Sequence, residues 1–226
     1  MQKARTRNIW SAFASLLILA CLVTGCSKKA AAAGDETAKP LSSIDFSKYA
    51  GASKYANQNG VFGRLSSRNF SNVPVTDNEK ELLLNAAFSV PTGGNERSTE
   101  LMVVTDRKLM KIIQEGHPYS KALDTAPLVI VLGANTKTAK YPELLTLDAG
   151  IAAMAIMTQA AEMGLQSIPM SIEPQPERIR AVGKALGNPP EVIPQIMIAI
   201  GHSAVDADTH ASTNYYNAKQ VHTNGW

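Results

Sequence analysis

The feature that most constrains this sequence is an apolar stretch from Leu147 to Gly164. Residues 149–161 carry no charge, and Thr158 and Gln159 are the only clearly polar side chains among them. Ala and Met, which dominate the stretch, suit a helix. A helix that is apolar all round must be buried on all sides. The uncharged run is shorter than the ~20 apolar residues of a membrane span. We therefore expect a core helix that ends at Gly164 and is enclosed by its own domain, alone or together with a second subunit.

The first residues have the pattern of a targeting segment. Lys3, Arg5 and Arg7 precede a mostly apolar run from Ile9 to Val23, and Val23-Thr24-Gly25 leads directly into Cys26. This ending resembles a bacterial lipobox, in which cleavage before the Cys leaves a thiol that carries lipid. We predict a lipoprotein signal peptide over residues 1–25, a lipidated flexible tether over 26–44 and an exported, membrane-anchored protein. The alternatives are an ordinary secretory signal and a membrane anchor.

Charge excludes one large class of partners. The formal net charge is +3, and removal of residues 1–25 takes away three basic and no acidic side chains, which leaves a mature chain of zero net charge. No basic patch indicates nucleic-acid binding. The 201 residues that remain after cleavage are enough for one domain, which we place at 45–226.

Helical and strand patterns alternate along the rest of the chain, which indicates a mixed α and β domain. Thr76 to Glu79 reads as a capping box that opens a helix. The apolar run Pro127–Gly133 predicts a central strand, whereas Pro169 restricts its own short strand to a sheet edge or a bulge. The other predicted elements are a weak helix over Asp45–Asn57, a strand over Leu101–Thr105, helices over Asp106–Glu115 and Pro176–Leu186, and strands over Ser167–Ile172 and Gln195–Gly201.

Residue chemistry alone identifies only a weak anion site. Arg64 and Arg68 lie four residues apart with Ser66 between them, so they could share a helical face and bind phosphate, or form a solvated basic turn. The two glycines within Pro91–Asn95 allow close approach to a ligand or simply a turn. The four His residues match no zinc motif, and there is no P-loop or dinucleotide GxGxxG pattern.

Several short motifs nevertheless follow one another in a characteristic order from Gly63 to the C-terminus. They are Arg64-x-Ser66-x-Arg68-x-Phe70, Pro74-Val75, Ala86-Ala87, Pro91 to Asn95, Val103 to Asp106, Ala126-Pro127, Asp148 to Gly150, Glu162 to Leu165, Ile200 to His202, and Val221-His222 with Trp226. Together these motifs resemble the nitroreductase family of FMN-dependent oxidoreductases. The resemblance implies an α+β fold, a central mixed, mainly antiparallel sheet flanked by helices, and an intertwined homodimer with FMN at the interface. The buried helix would lie near that interface.

The resemblance also implies roles for individual residues and no metal. The Arg64, Ser66 and Arg68 side chains would contact the FMN phosphate and ribityl chain, because Arg binds a dianion through charge-assisted bonds. Three residues of the other subunit would line the flavin ring: Pro91, Thr92 and Asn95. Lys121 would approach the pyrimidine edge of the flavin and stabilise its reduced anion, unless it is simply an exposed surface charge.

Further contacts are implied beside the ring and near the C-terminus. The segment of Pro169, Met170 and Ser171 would pass beside the flavin with a backbone N–H near N5. Relatives carry a late cation that closes on the phosphate; Thr213 to Tyr216 holds none here, and Lys219 would substitute for it. Arg97 to Thr99 replaces the Gln-Pro-Trp that follows the turn in many relatives, which changes the substrate pocket.

The resemblance implies reduction of small aromatic or quinone-like acceptors through FMN N5, with no obligatory protein acid or base. Export would place the protein where free NAD(P)H is scarce, so the electron donor is open. Two alternatives remain. One is a non-catalytic lipid-anchored binding protein that keeps the fold, favoured by the missing late cation. The other is a relative that performs reductive dehalogenation or flavin remodelling.

Overall fold

A four-stranded antiparallel sheet forms the centre of the molecule. The computed structural model describes residues 60–204 and 218–226. The sheet has the order β1-β2-β4-β3, with β1 at Thr99–Val104, β2 at Leu128–Asn135, β3 at Gln166–Ser171 and β4 at Val192–Gly201. The predictions of a central strand at β2 and an edge strand at β3 are confirmed. Ser66 adds one parallel bridge to Ser167 on the outer side of β3.

Five helices accompany the sheet within the described residues. They are α1 at Gly60–Gly63, α2 at Asp77–Phe88, α3 at Arg107–Glu115, α4 at Leu145–Glu162 and α5 at Pro176–Leu186. The predicted capping box is present, because Glu79 N donates to Thr76 Oγ1 and Thr76 N donates to Glu79 Oε2. Short 3-10 turns occur at Gly93–Asn95, Lys121–Asp124, Pro142–Leu144 and Ala218–Gln220.

The helices cover both faces of the sheet in two layers. In β2, Leu128 and Ile130 join the core with α2 and α4, whereas Val129 and Val131 join the core with α3 and α5. All four side chains are buried. Because both faces are covered, the strand reads as a continuous apolar run rather than as an alternation. The result is the predicted α+β fold with a sheet flanked by helices.

Helix α4 is buried along one side by its own domain and open along the other. Ile156 is fully buried, while Ile151, Met154, Ala155 and Thr158, the set predicted to share one face, are half-buried. The chain leaves the helix at Gly164, whose φ of 76° is the expected left-handed conformation. The domain alone therefore does not enclose this helix as fully as its sequence requires.

The same helix meets a compositional criterion for a membrane span. An 18-residue window within Pro142–Glu162 has a mean hydropathy of 1.5, and 50% of that window is buried inside the fold. Core helices of folded domains satisfy the same criterion, and α4 packs against α2 and the sheet. Packing against α2 and the sheet thus accounts for the apolar residues on one side of α4. It does not account for the apolar residues on the other side.

We predict that Ile156→Ala lowers the free energy of unfolding by about 2–5 kcal/mol, because it removes methyl groups from a filled core and leaves a cavity. Ile112→Ala is the matched control, since Ile112 on α3 is 52% exposed and should change stability by less than ~0.5 kcal/mol. Urea denaturation followed by circular dichroism measures both. Equal losses in the two variants would contradict the assigned orientation of α4.

Candidate functional site

A concave groove lies between α2 and α4. It has a volume of about 590 Å³. The lining is mostly apolar and comes from Leu82, Asn85, Ala86, Ser89, Val90, Ile151, Met154, Ala155, Thr158, Gln159 and Glu162. These include Ile151, Met154, Ala155 and Thr158, the half-buried face of α4. A concave, mostly apolar surface is the kind of place that a ligand or a partner covers.

The turn after α2, which carries Pro91, Thr92 and Asn95, is tied to the start of α4. Gly93 N donates to both carboxylate oxygens of Asp148, at 2.9 and 3.1 Å. Asp148 is only 5% exposed and lies in the first turn of α4, where the helix dipole favours a negative charge. This contact fixes the turn at the N-terminal end of the groove.

The two glycines of this turn are required by close packing. A Cβ at Gly93 would lie 2.5 Å from Leu144 Cδ1, and one at Gly94 would lie 2.6 Å from Tyr141 Cε2. Gly94 and Asn95 also have left-handed backbones, each with φ of 56°. The backbone conformation thus leaves Pro91 and Asn95 exposed and Thr92 half-buried.

Arg97 continues the same turn. Its φ of 54° is left-handed, its N–H donates to Thr92 Oγ1 at 3.1 Å, and its guanidinium Nη1 donates to Phe88 O at 3.2 Å. The Thr92 hydroxyl is therefore partly engaged in holding the turn, and Arg97 binds a carbonyl at the C-terminal end of α2, where a cation is favourable.

The basic segment from Arg64 to Phe70 runs extended beside β3. Ser66 pairs with Ser167, and Arg64 Nη1 donates to Ser66 Oγ at 3.3 Å. The interpretation in which Arg64 and Arg68 share a helical face is wrong, because the pairing with β3 stretches the backbone between them. Arg64 is half-buried, while Ser66 and Arg68 are exposed. Two guanidinium groups and a hydroxyl are thus presented at the outer edge of the sheet.

Pro169, Met170 and Ser171 of β3 are the three residues predicted to pass beside the flavin ring. Only one of them has a backbone N–H that points away from the sheet. Ser67 N donates to Ser167 O and Ile172 N donates to Gln195 O, so backbone groups of odd-numbered residues in β3 face away from β4. Pro169 has no N–H, and Met170 faces β4 with its side chain buried in the core. Ser171 therefore supplies the outward N–H, while its carbonyl accepts from His117 Nε2 and Arg178 Nη1.

The remaining two predicted residues are exposed cations. Lys121 opens the 3-10 turn before β2, and Lys219 lies in the C-terminal 3-10 turn. Cys26 and the segment Thr213 to Tyr216 fall outside the described residues. Among residues 60–204 and 218–226, no cluster of His, Cys, Asp and Glu could hold a metal ion.

The predicted contacts divide into groups at opposite ends of α4. Gly60, four residues before Arg64, donates its N–H to Glu162 Oε1 at 2.6 Å, whereas Gly93 binds Asp148. Fourteen residues of α-helix separate Asp148 from Glu162, a distance of about 21 Å. The structure therefore brings Arg64 and Ser66 toward the C-terminal end of α4 and places Pro91, Thr92 and Asn95 at its N-terminal end. Ser171 lies toward the N-terminal end, since Thr146 Oγ1 in the first turn of α4 donates to Glu173 Oε2 at 2.7 Å.

Three residues that hold these segments were not identified from the sequence. Asp148 stood out only as part of a motif at the helix start, and neither Arg107 nor Thr125 stood out at all. Thr125 Oγ1 accepts from Phe70 N at 3.0 Å, and Arg107 binds backbone carbonyls next to Lys121. No local spacing marks such contacts, because they join segments far apart along the chain.

Known proteins share both the sequence pattern and the fold. A protein of Archaeoglobus fulgidus named as an NADH dehydrogenase/NAD(P)H nitroreductase is 28% identical over 167 residues, which cover 74% of this chain and 96% of that protein. A Clostridium acetobutylicum crystal structure named as an NADH oxidase superposes with a TM-score of 0.71 at 27% identity, covering 74% of this chain and 99% of that one. An FMN-dependent nitroreductase of Clostridium difficile gives a TM-score of 0.68 at 25% identity, with 74% and 99% coverage.

The family model agrees with these similarities. It is the model of the nitroreductase family, and it matches residues 61–117 and 113–202, which together make up more than half of the sequence. The matched region contains the complete sheet, helices α2 to α5 and all but the first residue of α1. The chain therefore belongs to the nitroreductase family.

Proposed function

We propose that this protein is an FMN-dependent oxidoreductase that reduces small aromatic or quinone-like acceptors. The observation that carries the proposal is the pairing of Ser66 with Ser167. It sets the exposed Arg64-Ser66-Arg68 segment along the edge of β3 that also presents the Ser171 N–H. Family membership and the likeness to an FMN-dependent nitroreductase support the same cofactor.

The chemistry of the exposed groups fits the cofactor. The Arg64 and Arg68 guanidinium groups would neutralise the phosphate dianion of FMN, and the Ser66 hydroxyl would hydrogen-bond a phosphate or ribityl oxygen. The outward N–H of Ser171 would donate to flavin N5. Bound FMN supplies the hydride and electron transfer, and the protein supplies binding, orientation and electrostatics.

Lys121 would act through its charge. A cation beside the pyrimidine edge stabilises the negative charge that the flavin acquires on reduction, and this stabilisation is strongest in a site from which water is excluded. Lys121 is exposed in the single chain. We infer that a second subunit reduces this exposure.

That second subunit is a copy of the same chain. Arg64 and Ser66 lie toward the C-terminal end of α4, and Pro91, Thr92 and Asn95 lie at its N-terminal end. The helix between Asp148 and Glu162 spans about 21 Å. An antiparallel pairing of two α2/α4 grooves would bring one chain's turn at Pro91 and Asn95 toward its partner's Arg64 and Ser66. It would also cover the apolar face that the single domain leaves open. Lys219 would add a cation to the phosphate in this arrangement.

We further propose that the protein is exported and anchored to a membrane by lipid on Cys26. The basic residues Lys3, Arg5 and Arg7, the apolar run and the small residues before Cys26 support this proposal. An anchored enzyme would meet acceptors and reductants outside the cytoplasm.

We predict that Arg64→Ala weakens FMN binding by more than ~1 kcal/mol, because hydrogen bonds to charged groups are worth about 1.5–3 kcal/mol. Flavin fluorescence titration of the apoprotein measures the Kd. Arg180→Ala, which removes an exposed Arg from α5, is the control. An unchanged Kd for Arg64→Ala would show that Arg64 does not contact FMN.

Ala155→Glu should convert the dimer into a monomer and release FMN. Ala155 lines the groove, so the substitution would place an unpaired charge in an apolar interface at high cost. Light scattering coupled to gel filtration gives the mass. Ile112→Glu adds the same charge to an exposed helix surface and should leave the mass unchanged. A dimer that survives Ala155→Glu would contradict the assignment of the groove to the subunit interface.

Cys26→Ser should abolish the lipid-modified N-terminus and leave residues 1–25 attached, because lipid attachment and the cleavage before residue 26 both depend on the Cys26 thiol. Cys21→Ser is the matched control, because Cys21 lies in the part that cleavage would remove. Cell fractionation followed by mass spectrometry of the N-terminal peptide distinguishes the variants. An N-terminal peptide without lipid in the wild-type protein, or loss of the lipid in Cys21→Ser, would count against lipid anchoring at Cys26.

A further inference from the structure

Arg107, the first residue of α3, binds the short turn that carries Lys121. Its Nη1 donates to Ala126 O at 2.6 Å, and its Nη2 donates to Leu123 O at 2.8 Å and to Asp124 O. One guanidinium group therefore satisfies three backbone carbonyls of a single segment. Five donors in a planar fork allow this arrangement, which a lysine ammonium cannot reproduce.

The same helix holds the turn at a second place. Gln114 Nε2 donates to Asp124 Oδ1 at 2.9 Å and to Ser120 O at 3.2 Å. Leu123 is fully buried and anchors the turn in the core with α3. The backbone on both sides of Lys121 is thus fixed to α3 by side chains at the two ends of that helix.

This turn also positions the basic segment. Thr125 follows directly after the turn, and its Oγ1 accepts the N–H of Phe70 at 3.0 Å. Phe70 ends the segment that begins with Arg64, and its side chain is buried. Displacement of the turn would therefore move Lys121 and loosen the end of the Arg64–Phe70 segment together.

We propose that Arg107 is a positioning residue for the flavin site: it fixes the place of the Lys121 charge and of the Arg64–Phe70 segment without touching the cofactor. This inference rests on the proposed function. The role of Arg107 is geometric, because its guanidinium donates its hydrogen bonds to protein carbonyls and not to the cofactor. The consequence is that Arg107 raises the reduction potential of bound FMN through Lys121.

The test is a double-mutant cycle on the midpoint potential of FMN bound to the full protein. The variants are Arg107→Met, Lys121→Met and both together, with Arg107→Lys as the charge-conserving change. Lys108→Met is the matched control, because it removes a neighbouring exposed cation from α3. Spectroelectrochemical titration gives the potential, and FMN fluorescence gives the Kd.

Lys121→Met should favour oxidised over reduced flavin by about 10-fold, which lowers a two-electron potential by about 30 mV. Arg107→Met should lower the potential by a similar amount and weaken FMN binding several-fold. Arg107→Lys should also lower the potential although it keeps the charge. The double variant should lie close to Lys121→Met, because the two residues act through one position. Lys108→Met should stay at the wild-type potential.

Three results would overturn the inference. A wild-type potential in Arg107→Lys would show that only the charge of Arg107 matters. Additive shifts in the double variant would show that Arg107 does not act through Lys121. Unchanged potentials in both Arg107 variants would remove any positioning role. If Arg107→Met does not fold, the cycle with Arg107→Lys and Lys121→Met gives the same decision. Wild-type protein that binds no FMN would refute the proposed function itself, and this inference with it.

Discussion

The need to bury α4 is the constraint on which the rest of this structure depends. Between Asp148 and Glu162 the helix has no ionised side chain with which to face water. The sheet and α2 cover one side and bury Ile156 and its neighbours. The other side lines a groove of about 590 Å³. Exposed apolar surface costs roughly 25 cal/mol per Å² relative to burial, so the open face favours association with a second surface.

The two ends of α4 carry different parts of the candidate flavin site. Asp148 holds the turn with Pro91 and Asn95 at the N-terminal end, and Glu162 holds Gly60 and the chain leading to Arg64 at the C-terminal end. A helix of fixed rise keeps these parts apart within one chain. The helix whose apolar face favours association therefore also sets the distance between the two groups of candidate site residues, and we infer that burial of α4 and assembly of the site occur together.

Much of the fold could be predicted from the sequence because its signals are local. The uncharged run predicted α4, Thr76 and Glu79 predicted the start of α2, and Pro169 placed β3 at an edge. Long-range contacts could not be predicted in this way. Asp148 binds Gly93 from 55 residues away, and Arg107 binds Ala126 from 19 residues away. Ser66 pairs with Ser167, which is why a helical interpretation of the spacing between Arg64 and Arg68 failed. The residue roles implied by family resemblance stay predictions, since they concern a cofactor and a second chain.

The most direct test of the account is sedimentation velocity of the reconstituted protein, recorded at a visible wavelength that only flavin absorbs. The account predicts that bound FMN sediments with a species of twice the chain mass, at one flavin per chain, and that protein without FMN retains the same fold. Flavin that sediments with a single chain would contradict the division of the site between two subunits. A dimer that carries no flavin would contradict the cofactor site itself.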